Sequence, residues 1–133
     1  MEGNYATESS EYAEWKLKTS AAGETYVIYG FDCSSIPTNA SIVKVVLTAK
    51  TQQTNIANAG NQVVGLLVSS TVKASQSVTT TSVTTSTIES TSLTRSDLDD
   101  CRIRVYCRRD LSSTTNTYYG RIYGATLTVT YQV

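Results

Sequence analysis

The chain contains no histidine, which removes the commonest general base, the Ser-His and Cys-His nucleophile pairs and imidazole ligation of metals. Three cysteines without a Cys-x-x-Cys pair make a poor zinc set, and there is no glycine-rich phosphate loop. Asp97, Asp99, Asp100 and Asp110 lie near one another, and a glycosidase would draw its two carboxylates from this group. Their contexts give them other roles. Asp97 stands three residues after Thr94, as in a helix cap, Asp99 and Asp100 fall in the same turn, and Asp110 opens a polar loop. The residue set points away from an enzyme and implies no cofactor. No ligand spacing among the loop aspartates demands calcium.

The exposed feature with chemical character is a stripe of cations. Over Cys101–Arg109 the sequence alternates with period two, so Cys101, Ile103, Val105 and Cys107 share one face of a strand while Arg102, Arg104, Tyr106 and Arg108 share the other. Side chains two apart on a strand stand about 7 Å from each other. Arg and Tyr are enriched at protein interfaces, so the stripe is a candidate contact patch for a neighbouring subunit or an anionic glycan. The competing reading is a solvated face whose arginines pair with cross-strand carboxylates. Either reading depends on register, because a slip of one residue reverses the faces.

Trp15, Tyr26, Tyr29, Tyr118 and Tyr119 offer rings that can stack on sugars. Trp15 alternates with Leu17 and reads as core. Tyr118 and Tyr119 are adjacent at a strand start, so one must face outward, and they are the candidate glycan contacts.

Eleven basic residues balance eleven acidic ones, which argues against nucleic acid as a partner. The balance hides a separation. All six arginines lie at or after Arg95, while six of the eleven acids fall between Glu2 and Asp32. A molecule polarised in this way could stack head to tail with its own copies. The N-terminus is acidic and polar, so no signal peptide is expected, and no apolar run is long enough to span a membrane. Cys101 and Cys107, on one strand face, would be about 20 Å apart, too far for a disulfide. The three cysteines are expected as buried thiols of a protein made in a reducing cytoplasm.

The elements that must position these residues are almost all strands. Proline occurs once, at Pro37, and no stretch carries a sustained 3.6-residue apolar period. Strands are expected over Glu14–Lys18, Thr25–Phe31, Ile42–Lys50, Gln62–Ser69, Cys101–Arg109 and Tyr123–Val133. Ile42, Val45, Leu47 and Ala49 fall nearly on one side, and Ala125, Leu127, Val129, Tyr131 and Val133 form another inward set. From Ser69 to Ser96, 18 of 28 residues are Ser or Thr. The spaced valines among them favour exposed edge strands over a linker. Ser96–Asp100 is expected as a single helical turn. About eight short strands in one domain over 1–133, with 1–10 either flexible or an N-terminal arm, make an all-β antiparallel β-sandwich of jelly-roll type.

Two segments resemble jelly-roll modules. Tyr29-Gly-Phe-Asp-Cys-Ser-Ser-Ile-Pro-Thr-Asn-Ala-Ser-Ile-Val-Lys-Val-Val-Leu47 resembles the F-D-x-S-S-I-P-x-x-A-x-I-x-x-V-x-L pattern. That pattern occurs in DNRLRE-type carbohydrate-binding modules and in phage and prophage structural proteins of Gram-positive bacteria. Leu93–Val105 with Ile122–Tyr131 is more similar to the phage group. The resemblance implies a non-enzymatic virion component, such as a capsid decoration, head-fibre or tail-appendage protein, that contacts its own copies or other virion proteins. The alternative it implies is a module that binds a cell-surface glycan. On the residues alone, the first segment is a scaffold corner: Asp32 and a following serine can bond local backbone donors, and Pro37 fixes the turn.

Overall fold

The computed structural model describes residues 2–16, 25–54, 62–107 and 119–133. Within them run eight strands: β1 (Glu2–Lys16), β2 (Thr25–Gly30), β3 (Ser41–Gln53), β4 (Gln62–Val68), β5 (Thr71–Val78), β6 (Thr84–Ser90), β7 (Cys101–Cys107) and β8 (Tyr119–Gln132). A 3₁₀ turn, Ser96–Asp100, precedes β7, at the position expected from the sequence. One sheet has the order β1-β8-β3-β6 and the other β2-β7-β4-β5, and every pairing is antiparallel.

The pairings nest. β4 pairs with β5, β3 with β6, β2 with β7 and β1 with β8, as in one long hairpin whose tip lies between β4 and β5. The β8–β3 and β7–β4 ladders then roll that hairpin into two facing sheets. This is the jelly roll.

Alternation puts the core between the sheets. Val45 and Leu47 of β3 and Leu127 and Val129 of β8 are fully buried on one side, facing Val64 and Leu66 of β4 and Ile103 and Val105 of β7 on the other. Each such side chain contributes about 1.5–3 kcal/mol by leaving water. Two bulges adjust the phase. The register jumps from Ile42 to Lys44, leaving Val43 as the extra residue, which explains why Ile42 and Val45 lie three apart yet nearly on one side. A second jump leaves Tyr123 as the extra residue and resets the inward series of β8 from Ile122 to Ala125. Val133 departs from expectation, because it follows the end of β8 and is 70% exposed.

Glu2–Ser10, for which the sequence left a flexible segment or an arm open, form the first part of β1, and Glu2–Glu8 pair with β8. The stretch lacks apolar alternation because an edge strand can be held by its ladder of backbone hydrogen bonds alone. The Ser/Thr-rich region is strand as expected. β5 is exposed along nearly its whole length, and β6 buries Ser86, Ile88 and Ser90 while exposing Thr85, Thr87 and Glu89.

One end of the sandwich is closed by the corner at 31–40 and the 3₁₀ turn. Asp32 Oδ1 accepts from Ser34 N at 3.0 Å, and hydrogen bonding from the Ser34 side chain, with this backbone bond, lowers the pKa of its carboxyl. Thr94 and Asp97 cap each other: Thr94 N donates to Asp97 Oδ2 at 2.8 Å, and Asp97 N to Thr94 Oγ1 at 3.3 Å. Arg95 joins the two pieces by donating to Ile36 O, Cys33 O and Asp99 Oδ1. The two segments that carry the family resemblance therefore meet at a structural corner.

At the other end the interior turns polar. Thr51 Oγ1 donates to Gln62 Oε1 at 2.7 Å, and Gln62 Nε2 donates to Cys107 Sγ at 3.1 Å and to Gln52 O at 3.2 Å. Thr51, Gln62 and Cys107 are completely buried, so this network ties one sheet to the other across the core.

Candidate functional site

Strand β7 presents its outward residues in the middle of the second sheet. Arg102, Arg104 and Tyr106 are half-buried there, while Cys101, Ile103, Val105 and Cys107 are buried behind them. Arg108, the fourth residue of the stripe, lies outside the described residues. The ladders set each outward residue in a row: Arg102 stands between Gly30 of β2 and Leu67 of β4, Arg104 between Ile28 and Gly65, and Tyr106 between Tyr26 and Val63. Gly30 and Gly65 leave gaps in this surface. A Cβ at Gly65 would meet Val72 Cγ1 at 3.3 Å, so the glycine keeps a hollow beside Arg104 that any side chain would begin to fill.

Two shallow depressions result. One, of about 300 Å³, is lined by Val63, Gly65, Val72, Ser75, Arg104 and Tyr106. The other, of about 280 Å³, is lined by Ile28, Leu67, Ser69, Ser70, Arg102 and Arg104. Arg104 borders both and divides one groove running along β7. Its guanidinium lies 4.9 Å from the centre of the Tyr106 ring, a cation–π contact that steadies both side chains. Arg102 is held at the end of the groove: Nη2 donates to Ser69 O at 2.7 Å, while the buried Nε lies 3.2 Å from Asp100 Oδ1 without hydrogen-bond alignment. The carboxylate beside Arg102 thus comes from the adjoining turn and not from a neighbouring strand. Ile28 and Val72 expose 38% and 37% of their surfaces at the groove edges.

The sheet that carries this groove is electrostatically one-sided. Strands β2, β4, β5 and β7 contain Lys73, Arg102 and Arg104 and no Asp or Glu. The strand carboxylates all belong to the other sheet: Glu2, Glu8, Glu11 and Glu14 on β1 and Glu89 on β6.

Tyr119, the described member of the candidate glycan pair, is half-buried at the start of β8, on the other sheet from the Arg stripe. Tyr118 lies outside the described residues. Tyr119, Arg121 and Tyr123 alternate with the buried Gly120 and Ile122. Arg121 Nη1 and Tyr123 OH each donate to Gln52 Oε1 at 3.1 Å, Gln52 Nε2 donates to Thr81 O at 2.9 Å, and Lys50 Nζ lies 5.7 Å from the centre of the Tyr123 ring. Sequence reasoning missed this patch, because Gln52 and Tyr123 meet through a ladder between strands far apart in the chain. It also missed Ile28, Leu67 and Val72, although the lone Gly65 inside an apolar strand pointed to a close approach.

Asp97 caps its turn and Asp99 pairs with Arg95; Asp110 lies outside the described residues. All three cysteines are free and buried. Burial pushes the Cys33 thiol up to about 11 and the Cys101 and Cys107 thiols up to about 12, so each is protonated and a weak nucleophile near neutrality. Among the described residues no group of three or more His, Cys, Asp or Glu is placed to hold a metal ion. Among them, too, no helix is long and apolar enough to cross a membrane. No protein-family model matches the chain, and none of the curated proteins matches it in sequence.

Proposed function

We propose that this chain is a non-enzymatic interaction module and that its working surface is the outward face of the β2-β7-β4-β5 sheet. The observation that carries the reading is the groove divided by Arg104 on a sheet without carboxylates. Its apolar floor and edges supply contact area and its cations supply orientation. Together with the jelly-roll topology and the resemblance of the 29–47 and 93–105 segments, this supports a component of a bacteriophage virion. Such a protein would decorate a capsid or build a head fibre or tail appendage through contacts with its own copies or with other virion proteins.

Hydroxyl-radical footprinting at low and high protein concentration, alone and with the other proteins of the particle, tests the reading. Ile28, Val72 and Tyr106 should become protected on association, while Val83, exposed between β5 and β6, should not. Protection confined to other surfaces would refute it. A second reading, glycan binding, is favoured by the Tyr119, Arg121, Tyr123 and Gln52 patch, where rings, a guanidinium and an amide share one face as sugar recognition requires. On a glycan array, Tyr119→Ala and Tyr123→Ala should then each lower binding at least tenfold. Unchanged binding would remove this reading.

A further inference from the structure

We infer that the groove on the second sheet receives the acidic strand β1 of a second copy, so that the chain assembles head to tail. The inference rests on the reading of that sheet as the working surface and names its partner. Two observations lead to it. First, the groove face is a poor partner for itself. A two-fold contact would bring a surface carrying Lys73, Arg102 and Arg104 toward its own copy, with no carboxylate on any of the four strands and only Asp100 of the adjoining turn, already beside Arg102, to offset them. Like charges apposed in this way oppose association and select against that geometry.

Second, the complementary charge sits on one element of the same chain. β1 carries Glu2, Glu8, Glu11 and Glu14 against the single cation Lys16. Register sets Glu2, Glu8 and Glu14 opposite Thr130, Gly124 and Arg121, positions of β8 that alternate with its buried residues. The rest of that sheet does not share the excess of acid, because β3 contributes Lys44 and Lys50 and β8 contributes Arg121. β1 is also an edge strand of its sheet, and a strand at an edge can approach a groove without the sheet behind it having to fit.

A contact between two different surfaces is heterologous, and it generates closed rings or open filaments according to the rotation between copies. Its size sets its strength. Four strands spaced about 4.8 Å and six residues long span roughly 20 Å by 20 Å. That footprint is well below the ~800 Å² per partner of a standard interface. The contact is therefore weak in isolation, dependent on concentration and sensitive to salt, and it gains persistence only when copies are held together by a ring or by a particle.

Light scattering in 20 mM and 500 mM NaCl tests the inference with two variants, one for each surface: Arg104→Gln, and the triple replacement of Glu2, Glu8 and Glu14 by Gln. The wild type should exceed the 14.4 kDa monomer mass increasingly with concentration at low salt and return toward it at high salt. Each variant alone should stay monomeric. Mixed in equal amounts at low salt, they should rise with concentration toward twice the monomer mass and never beyond it, because one intact groove meets one intact strand. Arg104→Lys, which keeps the charge, should assemble, and unchanged thermal melts should show that every variant is folded. A wild type that is monomeric throughout, or a mixture that stays monomeric, would overturn the head-to-tail contact. If Arg104→Gln is monomeric while the triple variant assembles like the wild type, the partner strand is wrong and the working surface stands. If Arg104→Gln assembles like the wild type, the surface itself is wrong.

Discussion

The buried bridge between the sheets makes a quantitative prediction. Replacing Gln62 by Leu keeps most of its volume, but it takes away the acceptor of the Thr51 hydroxyl and the donor to Gln52 O and Cys107 Sγ. Thr51 is completely buried, so its orphaned hydroxyl cannot turn to water. Each buried group left without a partner costs about 1–3 kcal/mol, which puts Gln62→Leu at about 3 kcal/mol. Thr51→Val leaves the Gln62 amide oxygen unpaired and should cost about 2 kcal/mol. The double variant removes both partners of the strongest bond together. With the Thr51 hydroxyl gone too, it should therefore cost about 2 kcal/mol, less than Gln62→Leu alone and well below the additive 5, a coupling of about 3 kcal/mol. Urea titrations of the four proteins measure this cycle, with unchanged m-values showing that the denatured state is not altered. Additivity within about 0.5 kcal/mol would refute the bridge as an energetic link.

Three further outcomes follow from other parts of the fold. Ser69 adopts a positive φ of 54° in the β4–β5 turn, a conformation in which glycine carries no penalty. Ser69→Gly should stabilise the protein by about 0.5–1 kcal/mol in chemical denaturation, and destabilisation would contradict the account of the turn. Arg95 is nearly buried and donates to two backbone oxygens, whereas its partner Asp99 is 70% exposed. Arg95→Met should accordingly cost about 2–3 kcal/mol and Asp99→Asn less than about 0.5 kcal/mol; equal losses would make the ion pair, and not the backbone bonds, the important interaction. The buried thiols make stability fall with alkaline pH. Their folded values, raised to about 11, 12 and 12 from 9.0, leave their contribution intact below pH 9 and remove it as pH climbs through those values. The loss is about 1.4 kcal/mol per pH unit for each thiol. Urea midpoints at pH 8, 9 and 10 should drop more steeply in the wild type than in a variant with all three cysteines changed to alanine, and parallel slopes would count against the assignment.

Period-two alternation made β7 legible residue by residue, and the Thr94–Asp97 spacing gave the 3₁₀ turn its place. Both signals are local: a strand's two faces and a cap are written within a few residues. The N-terminal half of β1 was hidden because Glu2–Ser10 lack an alternating apolar series and Glu2–Glu8 are held by pairing to β8. The bulges at Val43 and Tyr123 left only the imperfect phase of Ile42 against Val45 as a trace. For the candidate site, the sequence yielded the Arg and Tyr side of the groove and missed the apolar side. Ile28, Leu67 and Val72 reach the groove from three strands, and their meeting depends on ladder register. The Gln52 and Tyr123 contact was out of reach for the same reason.

The nested pairing has a consequence for biosynthesis. The tightest closure is at the tip, where Ser69 and Ser70 alone join β4 to β5, and each outer pair encloses the ones inside it. Loop closure costs more as the enclosed chain lengthens, by about 0.6 kcal/mol for each doubling, so a chain that zips outward from the tip pays this in small steps. A ribosome delivers the strands in a different order. β1 emerges before the others, yet its ladder partner β8 is the last of the eight to appear, so β1 must wait in solvent while the interior pairs form. An apolar strand in that position would invite pairing with neighbouring nascent chains. The glutamates of β1 suit a strand that has to stay soluble until its place in the sheet exists.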